Sequence, residues 1–203
     1  MMTMKNEKVT GIVLTGGLSS RMGKEKGFCL LNDKPLVEYA IDLLQKECSS
    51  VMIGSNNDLY RKFGFPVIED EIKGIGPIGG IYSCLKSSQT DDNFILSCDM
   101  PMVRGELIRH LLSYRAQYEA IVPIHLGHPE PLCAFYRKDI VPMLERQIMN
   151  GNYKLQDVLK ALNTKYLDIG PDLEFYHHKL FANINTEVDL NRMEDELKKY
   201  KGN

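Results

Sequence analysis

Apolar runs of strand length alternate with segments of helical period along most of the chain, and this alternation restricts the fold more than any other property of the sequence. Val9 to Leu14 reads as a buried strand. Pro35 to Glu47 places Leu36, Val37, Tyr39, Ala40, Leu43 and Leu44 on one helical face. Pro35 suits the first helical turn, where its missing N–H costs little. Val51 to Gly54 and Pro66 to Ile68 read as short strands, with a short helix from Asn57 to Phe63 between them. Pro77 to Lys86 reads as a helix, Phe94 to Cys98 as a strand and Val103 to Tyr118 as a helix. A repeating β-α order predicts an open parallel sheet with helices on both faces and ligands beyond the carboxyl ends of the strands. Ala120 to Pro123 and Leu132 to Tyr136 read as further strands that make the sheet mixed. Asp139 to Met149 and Tyr153 to Leu162 read as helices. Phe181 to Ile184 reads as a last strand and Thr186 to Tyr200 as a closing helix with Leu190, Met193 and Leu197 inward.

The length of 203 residues suits one large domain, and no Ser/Gly/Pro-rich linker divides it. We therefore expect a single domain over residues 1–203, with 1–7 and 201–203 as loosely ordered termini. The 43% hydrophobic content supports a sizeable core. Twenty-five Lys and Arg against 27 Asp and Glu leave a formal charge of −2, which argues against a protein that coats nucleic acid or an anionic membrane. No apolar run approaches the about 18 residues of a membrane span. The opening Met-Met-Thr-Met-Lys-Asn-Glu-Lys lacks the apolar core of a signal peptide, so the expected location is the cytoplasm. Cys29, Cys48, Cys84, Cys98 and Cys133 are odd in number and show no C-x-x-C spacing; they read as buried, reduced thiols.

The segment Leu14 to Gly27 is the most informative for chemistry. It follows a buried strand and holds Gly16, Gly17, Gly23 and Gly27 together with the cations Arg21, Lys24 and Lys26. Glycines let backbone N–H groups approach a ligand closely, successive N–H groups form an anion nest, and cations neutralise phosphate. The loop suits a polyphosphate. It is not a P-loop, because five residues separate Gly17 from Gly23 and Glu25 follows Lys24 where Ser or Thr is required. A G-x-G-x-x-G pattern occurs only at Gly74 to Gly79, where an acidic stretch separates it from the preceding strand. Asp99 and Asp70 follow strands expected to share the carboxyl end of the first. A carboxylate beside a polyphosphate calls for a bridging cation, so Asp99 is the candidate ligand of Mg²⁺, with Asp70 second. The competing reading makes Asp99 a turn or N-cap residue and Asp70 part of a solvated acidic cluster, Glu69 to Glu71.

Together these residues resemble the molybdenum cofactor guanylyltransferase family, within the nucleotidyltransferases. The resemblance rests on Leu14-Thr-Gly-Gly17, Arg21-Met-Gly-x-x-Lys26 and Asp33-Lys-Pro-Leu36. It continues through Val67-Ile-Glu-Asp70, Gly76-Pro-Ile-Gly-Gly80 and Ser97-Cys-Asp-Met-Pro101, then His128 to Tyr136 and Asn183-Ile-Asn-Thr-Glu187. It implies a three-layer α/β/α sandwich with a Rossmann-like, mostly parallel sheet. It implies transfer of GMP from GTP to molybdopterin with release of pyrophosphate, with Mg²⁺ as cofactor. By position, Leu14, Thr15, Gly16 and Gly17 resemble the backbone cradle of the nucleotide, and Arg21 and Lys26 its phosphate-binding cations. Asp70 resembles a guanine-nucleotide contact and Asp99 the Mg²⁺ ligand and catalytic carboxylate, while Asn183 and Asn185 correspond to the pterin side. Thr15 departs from the usual Ala, and Gly54 stands where some relatives have Asn. Expected partners are GTP, molybdopterin with or without molybdenum, and transiently other cofactor-biosynthesis proteins or molybdoenzyme chaperones. A cytidylyltransferase on the same pterin, a sugar-phosphate nucleotidyltransferase and a nucleotide-binding regulatory module remain as alternatives. His125, His128, His177 and His178 read as solvated surface positions rather than contacts to the pterin substrate.

Overall fold

The computed structural model describes residues 6–16 and 25–201. The first strand, β1 (Asn6–Leu14), is followed by a short hairpin of β2 (Leu30–Leu31) and β3 (Lys34–Pro35), and then by α1 (Leu36–Glu47). Next come β4 (Cys48–Gly54), β5 (Val67–Ile68), α2 (Pro77–Ser87), β6 (Asp92–Ser97) and α3 (Gly105–Leu112). The remainder is β7 (Ala120–His125), β8 (His128–Pro129), β9 (Cys133–Arg137), α4 (Val141–Met149), α5 (Leu155–Ala161), β10 (Thr164–Asp168) and α6 (Glu187–Lys201). The main sheet has the order β10-β7-β9-β6-β1-β4-β5, with β8 paired to β7. β5, β4, β1 and β6 are parallel, β9 runs against both β6 and β7, and β10 is parallel to β7. The sheet is therefore mixed and mostly parallel.

Strand alternation sends side chains to two cores. Val9, Val13, Phe94 and Leu96 point to the layer holding Val37, Ile41 and Leu44 of α1 and Leu107 and Leu111 of α3. Ile12, Leu14, Ile95 and Val122 point to the opposite layer, against Ile78, Ile81 and Leu85 of α2, Leu144 of α4 and Val158 of α5. This is the α/β/α sandwich. Gly11 explains the close seating of α1: a Cβ there would lie 2.8 Å from the Cβ of Leu44. A smaller third core joins Leu31 and Leu36 to Ile184 and to Met193 of α6, with Leu190 and Leu197 packed at its margin. The inward face expected of the closing helix is thus observed.

Several boundaries differ from the sequence reading. Phe181 to Ile184 forms no strand; Leu180, Phe181 and Ile184 are buried as anchors of a turn, so their burial arises without sheet pairing. The strand in this part of the chain is instead β10, whose Thr-Lys-Tyr-Leu-Asp sequence alternates weakly because it lies at a sheet edge. α3 ends at Leu112 rather than near Tyr118, and residues 113–117 continue as turns. Pro35 sits just before α1, with extended ψ, and pairs in β3. All five cysteines are buried and none is in a disulfide, as expected.

Candidate active site

Strand register brings the predicted site to one end of the sheet. Leu14 is level with Gly54 on one side and with Ser97 on the other, and Gly54 is level with Ile68. The chain continues from these four points as Thr15-Gly16, Ser55-Asn56, Cys98-Asp99 and Glu69-Asp70. Backbone bonds extend the sheet slightly past the strands: Thr15 N–H donates to Gly54 O (3.1 Å), Ser55 N–H to Ile68 O (2.9 Å) and Cys98 N–H to Leu14 O (3.0 Å). The Thr15 hydroxyl also donates to Gly54 O (3.1 Å), which turns it away from any ligand.

Between these ends lies a cleft of about 380 Å³, lined by Leu14, Gly16, Gly54, Asn56, Asp70, Gly74, Gly76 and Gly80, with Ser97 and Leu132 closing it. Asp70 is fixed by a reciprocal pair with Asn56: Asn56 Nδ2 donates to Asp70 Oδ2 and Asp70 N–H to Asn56 Oδ1, both at 2.9 Å. Gly76 caps α2 with φ of 76°, a left-handed value that favours glycine, and Pro77 follows as the first helical residue. The N-terminus of α2 therefore opens on the cleft with its partial positive charge. Gly54 leaves no room for the amide that this position was compared with, since a Cβ there would lie 2.8 Å from Cys84 Sγ and from Leu14 Cδ2. Asn56, two residues on, supplies the amide instead.

A second cluster forms around Lys26. Its ammonium donates to Asp99 Oδ2 and to Asn185 Oδ1, both at 2.6 Å, and the Lys26 and Asp99 side chains are only 14% and 13% exposed. Lys26 begins a 3-10 turn, Lys26–Phe28, held against Tyr60. Phe28 stacks on the Tyr60 ring with centroids 4.4 Å apart, and Gly27 lies so close to the phenol that no side chain fits. The second oxygen, Asp99 Oδ1, is buried and has no hydrogen-bond partner among the described residues. Asn185 arrives on the turn before α6, tied to the Asp99 segment by Ile184 N–H donating to Asp99 O at 2.9 Å.

Of the residues singled out in the sequence, Leu14, Thr15, Gly16, Asp70, Lys26, Asp99 and Asn185 gather at this end. Asn183 is exposed and lines a separate hollow of about 100 Å³ beside Met193 and Arg192. Gly17 and Arg21 lie outside the described residues. The sequence reading passed over Asn56 and gave little weight to Gly74 and Gly76. It also missed Glu130, a half-buried carboxyl pushed above its usual range by burial and further by the negative charge of Asp99. His125 contacts the Tyr176 hydroxyl at 3.3 Å and packs its ring 5.1 Å from that of Phe181, so it is half-buried rather than solvated, and burial lowers its pKa. A larger hollow, about 660 Å³, lies at the opposite end of the strands between Lys8, Asp92, Arg115 and Arg137 and offers no glycine-lined backbone. No cluster of three or more metal-binding side chains is found among the described residues, and no helix there is long and apolar enough to cross a membrane.

Comparison with known proteins agrees with this geometry. The profile of the MobA-like NTP transferase domain matches residues 11–166. A molybdenum cofactor guanylyltransferase of Vibrio campbellii is 34% identical over 184 residues, 88% of this chain and 91% of its own length. A probable molybdenum cofactor guanylyltransferase of Clostridium perfringens is 31% identical over 196 residues, 95% of this chain and 98% of its own. Among solved structures, the molybdopterin-guanine dinucleotide biosynthesis protein A of Archaeoglobus fulgidus superposes with a TM-score of 0.79 at 31% identity, covering 94% of this chain and 99% of that one. The CMP:2-keto-3-deoxy-manno-octonic acid synthetase complexed with CTP shares the fold at a TM-score of 0.72 and 12% identity, covering 95% and 99%.

Proposed function

Because the chain belongs to the MobA-like NTP transferase family, we propose that it transfers GMP from GTP to molybdopterin and releases pyrophosphate. The observation that carries this reading is the convergence, at one sheet end, of a glycine-lined cleft holding Asp70 and a Lys26–Asp99 ion pair. A phosphate oxygen of molybdopterin forms a bond to the α-phosphorus of GTP as the bond to the β-phosphate oxygen breaks. Both reactants are anions, so positioning and charge neutralisation supply most of the catalysis. The phosphate nucleophile is ionised at neutral pH, and no general base is needed.

The cleft accounts for the nucleotide. Guanine presents N–H donors at N1 and N2, and the Asp70 carboxylate, oriented by Asn56, is a matching acceptor. The Gly16 backbone and the N-terminus of α2, which line the cleft, are the groups that receive the phosphates. Lys26 is the cation that takes up charge on the departing pyrophosphate. Asp99 is the residue that would hold a divalent cation: its Oδ1 is buried and without a hydrogen-bond partner among the described residues, so the cost of burying a metal-binding oxygen has been met by the fold. A Mg²⁺ bound there would supply charge neutralisation and Lewis-acid polarisation. Arg21 joins Lys26 on the phosphates, and Asn183 stands on the pterin side. The enzyme works in the cytoplasm with GTP and the pterin as its small-molecule partners, passing its product to molybdoenzyme chaperones.

The test is to incubate the protein with Mg²⁺, molybdopterin and each nucleoside triphosphate in turn. The expected result is a product heavier by GMP, with pyrophosphate, from GTP alone. A CMP adduct, or pyrophosphate from no nucleotide, overturns the reading.

A further inference from the structure

We infer that Asn185 is a positioning residue that keeps the Lys26 ammonium on Asp99 until nucleotide arrives, so that divalent cation and nucleotide bind together rather than cation first. The inference rests on the metal role proposed above for Asp99.

Lys26 Nζ has three donors, and two are committed at 2.6 Å, one to Asp99 Oδ2 and one to Asn185 Oδ1. The ion pair is largely withdrawn from water, so it is screened less than a surface pair. A divalent cation on Asp99 Oδ1 would share one carboxylate with an ammonium, and the two like charges would repel across a few ångströms. Lys26 must leave before the cation binds well. A triphosphate offers the ammonium several anionic oxygens, whereas its present partners are one carboxylate oxygen of Asp99 and one neutral amide oxygen of Asn185. The exchange therefore runs toward the phosphates. The neutral acceptor is what makes the hold releasable; a carboxylate at the same place would retain the lysine.

The backbone of Asn185 is held in place independently of Lys26. Its own N–H donates to Asp189 Oδ2 at 3.1 Å, the N–H and hydroxyl of Thr186 donate to the same oxygen, and Asp189 N–H donates back to the Thr186 hydroxyl at 3.1 Å. The bond from Ile184 N–H to Asp99 O fixes the other side of the turn. Asp99 and Asn185 thus present their two oxygens to the ammonium from a tied stretch of backbone.

The test is a Mn²⁺ titration of the full chain without nucleotide, with free Mn²⁺ read by electron paramagnetic resonance. Wild type, Lys26→Met, Asn185→Leu and the double variant are compared, with Asp99→Asn defining the site. Thermal melts confirm that each is folded. Lys26→Met is expected to tighten Asp99-dependent Mn²⁺ binding by about tenfold or more, and Asn185→Leu by roughly threefold. The double variant is expected to match Lys26→Met, because Asn185 acts through the lysine. Equal affinity in wild type and Lys26→Met overturns the inference while leaving the metal role of Asp99 in place. A double variant weaker than Lys26→Met also overturns it, by making Asn185 a direct ligand. Absence of Asp99-dependent binding in every variant removes both the inference and the metal role.

Discussion

Lys26 and Asp99 are paired at 2.6 Å in a setting of low exposure, and the proposed reaction gives each a different part of the chemistry. Asp99→Asn keeps the shape of the side chain and removes its charge. It is expected to lower guanylyl transfer by about 10³-fold or more, the scale of a lost electrostatic stabiliser, with the melting midpoint little changed. Product mass and a thermal melt check both halves. Lys26→Ala is expected to weaken GTP binding by about 1.5–3 kcal/mol, measured by calorimetry. Asp70→Asn turns an acceptor-only group into one that also donates, and is expected to cut the preference for GTP over ATP by about tenfold in competition binding. These residues were legible because each follows an apolar strand and belongs to a residue type that phosphate or metal chemistry requires. Asn56 was not, since a single asparagine in a short loop carries no pattern. Gly74 and Gly76 were visible as a motif but set aside because Glu69 to Glu71 intervene. That acidic stretch proves to be the turn that carries Asp70 into the cleft and leads the chain on to α2.

The turn before α6 shows how a helix cap and a binding residue can share one support. Thr186 and Asp189 form a reciprocal cap, and the same Asp189 oxygen accepts from Asn185 N–H. These bonds, those from Thr186 first, hold the Asp189 carboxyl below its ordinary value of 3.8. A depressed carboxyl pKa adds stability above that ordinary value and loses it as pH falls through the folded-state value. Asp189→Ala is therefore expected to lower the melting midpoint by about 2–4 °C at neutral pH, for a cap worth about 1 kcal/mol, and to match wild type near pH 2. Periodicity located nearly every helix and central strand, because those elements bury one face or both. It failed where burial and pairing part company. Phe181 and Ile184 are buried without hydrogen-bonding into the sheet, and β10 pairs in the sheet while Tyr166 stays exposed. The overlong α3 has a related cause: Tyr114 and Tyr118 continue to pack on the core after the helix has ended at Leu112.

Five thiols are shut into the interior, where burial raises the pKa of Cys84 to about 12 and moves those of Cys98 and Cys133 well above their ordinary value too. A protonated, enclosed thiol reacts slowly. The melting midpoint is expected to be the same with and without reductant, and an alkylating reagent is expected to label none of the five in the native protein and all of them after unfolding; mass spectrometry reads the count. The order of strands has its own bearing on synthesis. Phe94, Ile95 and Leu96 lie at the heart of the sheet, yet one flank of β6 is covered only by β9, which begins at Cys133. A ribosome finishes the nucleotide-binding half first and leaves that apolar flank bare until the later strand is translated. Nascent chains halted in the interval carry a sticky border and are expected to associate with other copies more readily than chains that have passed Arg137.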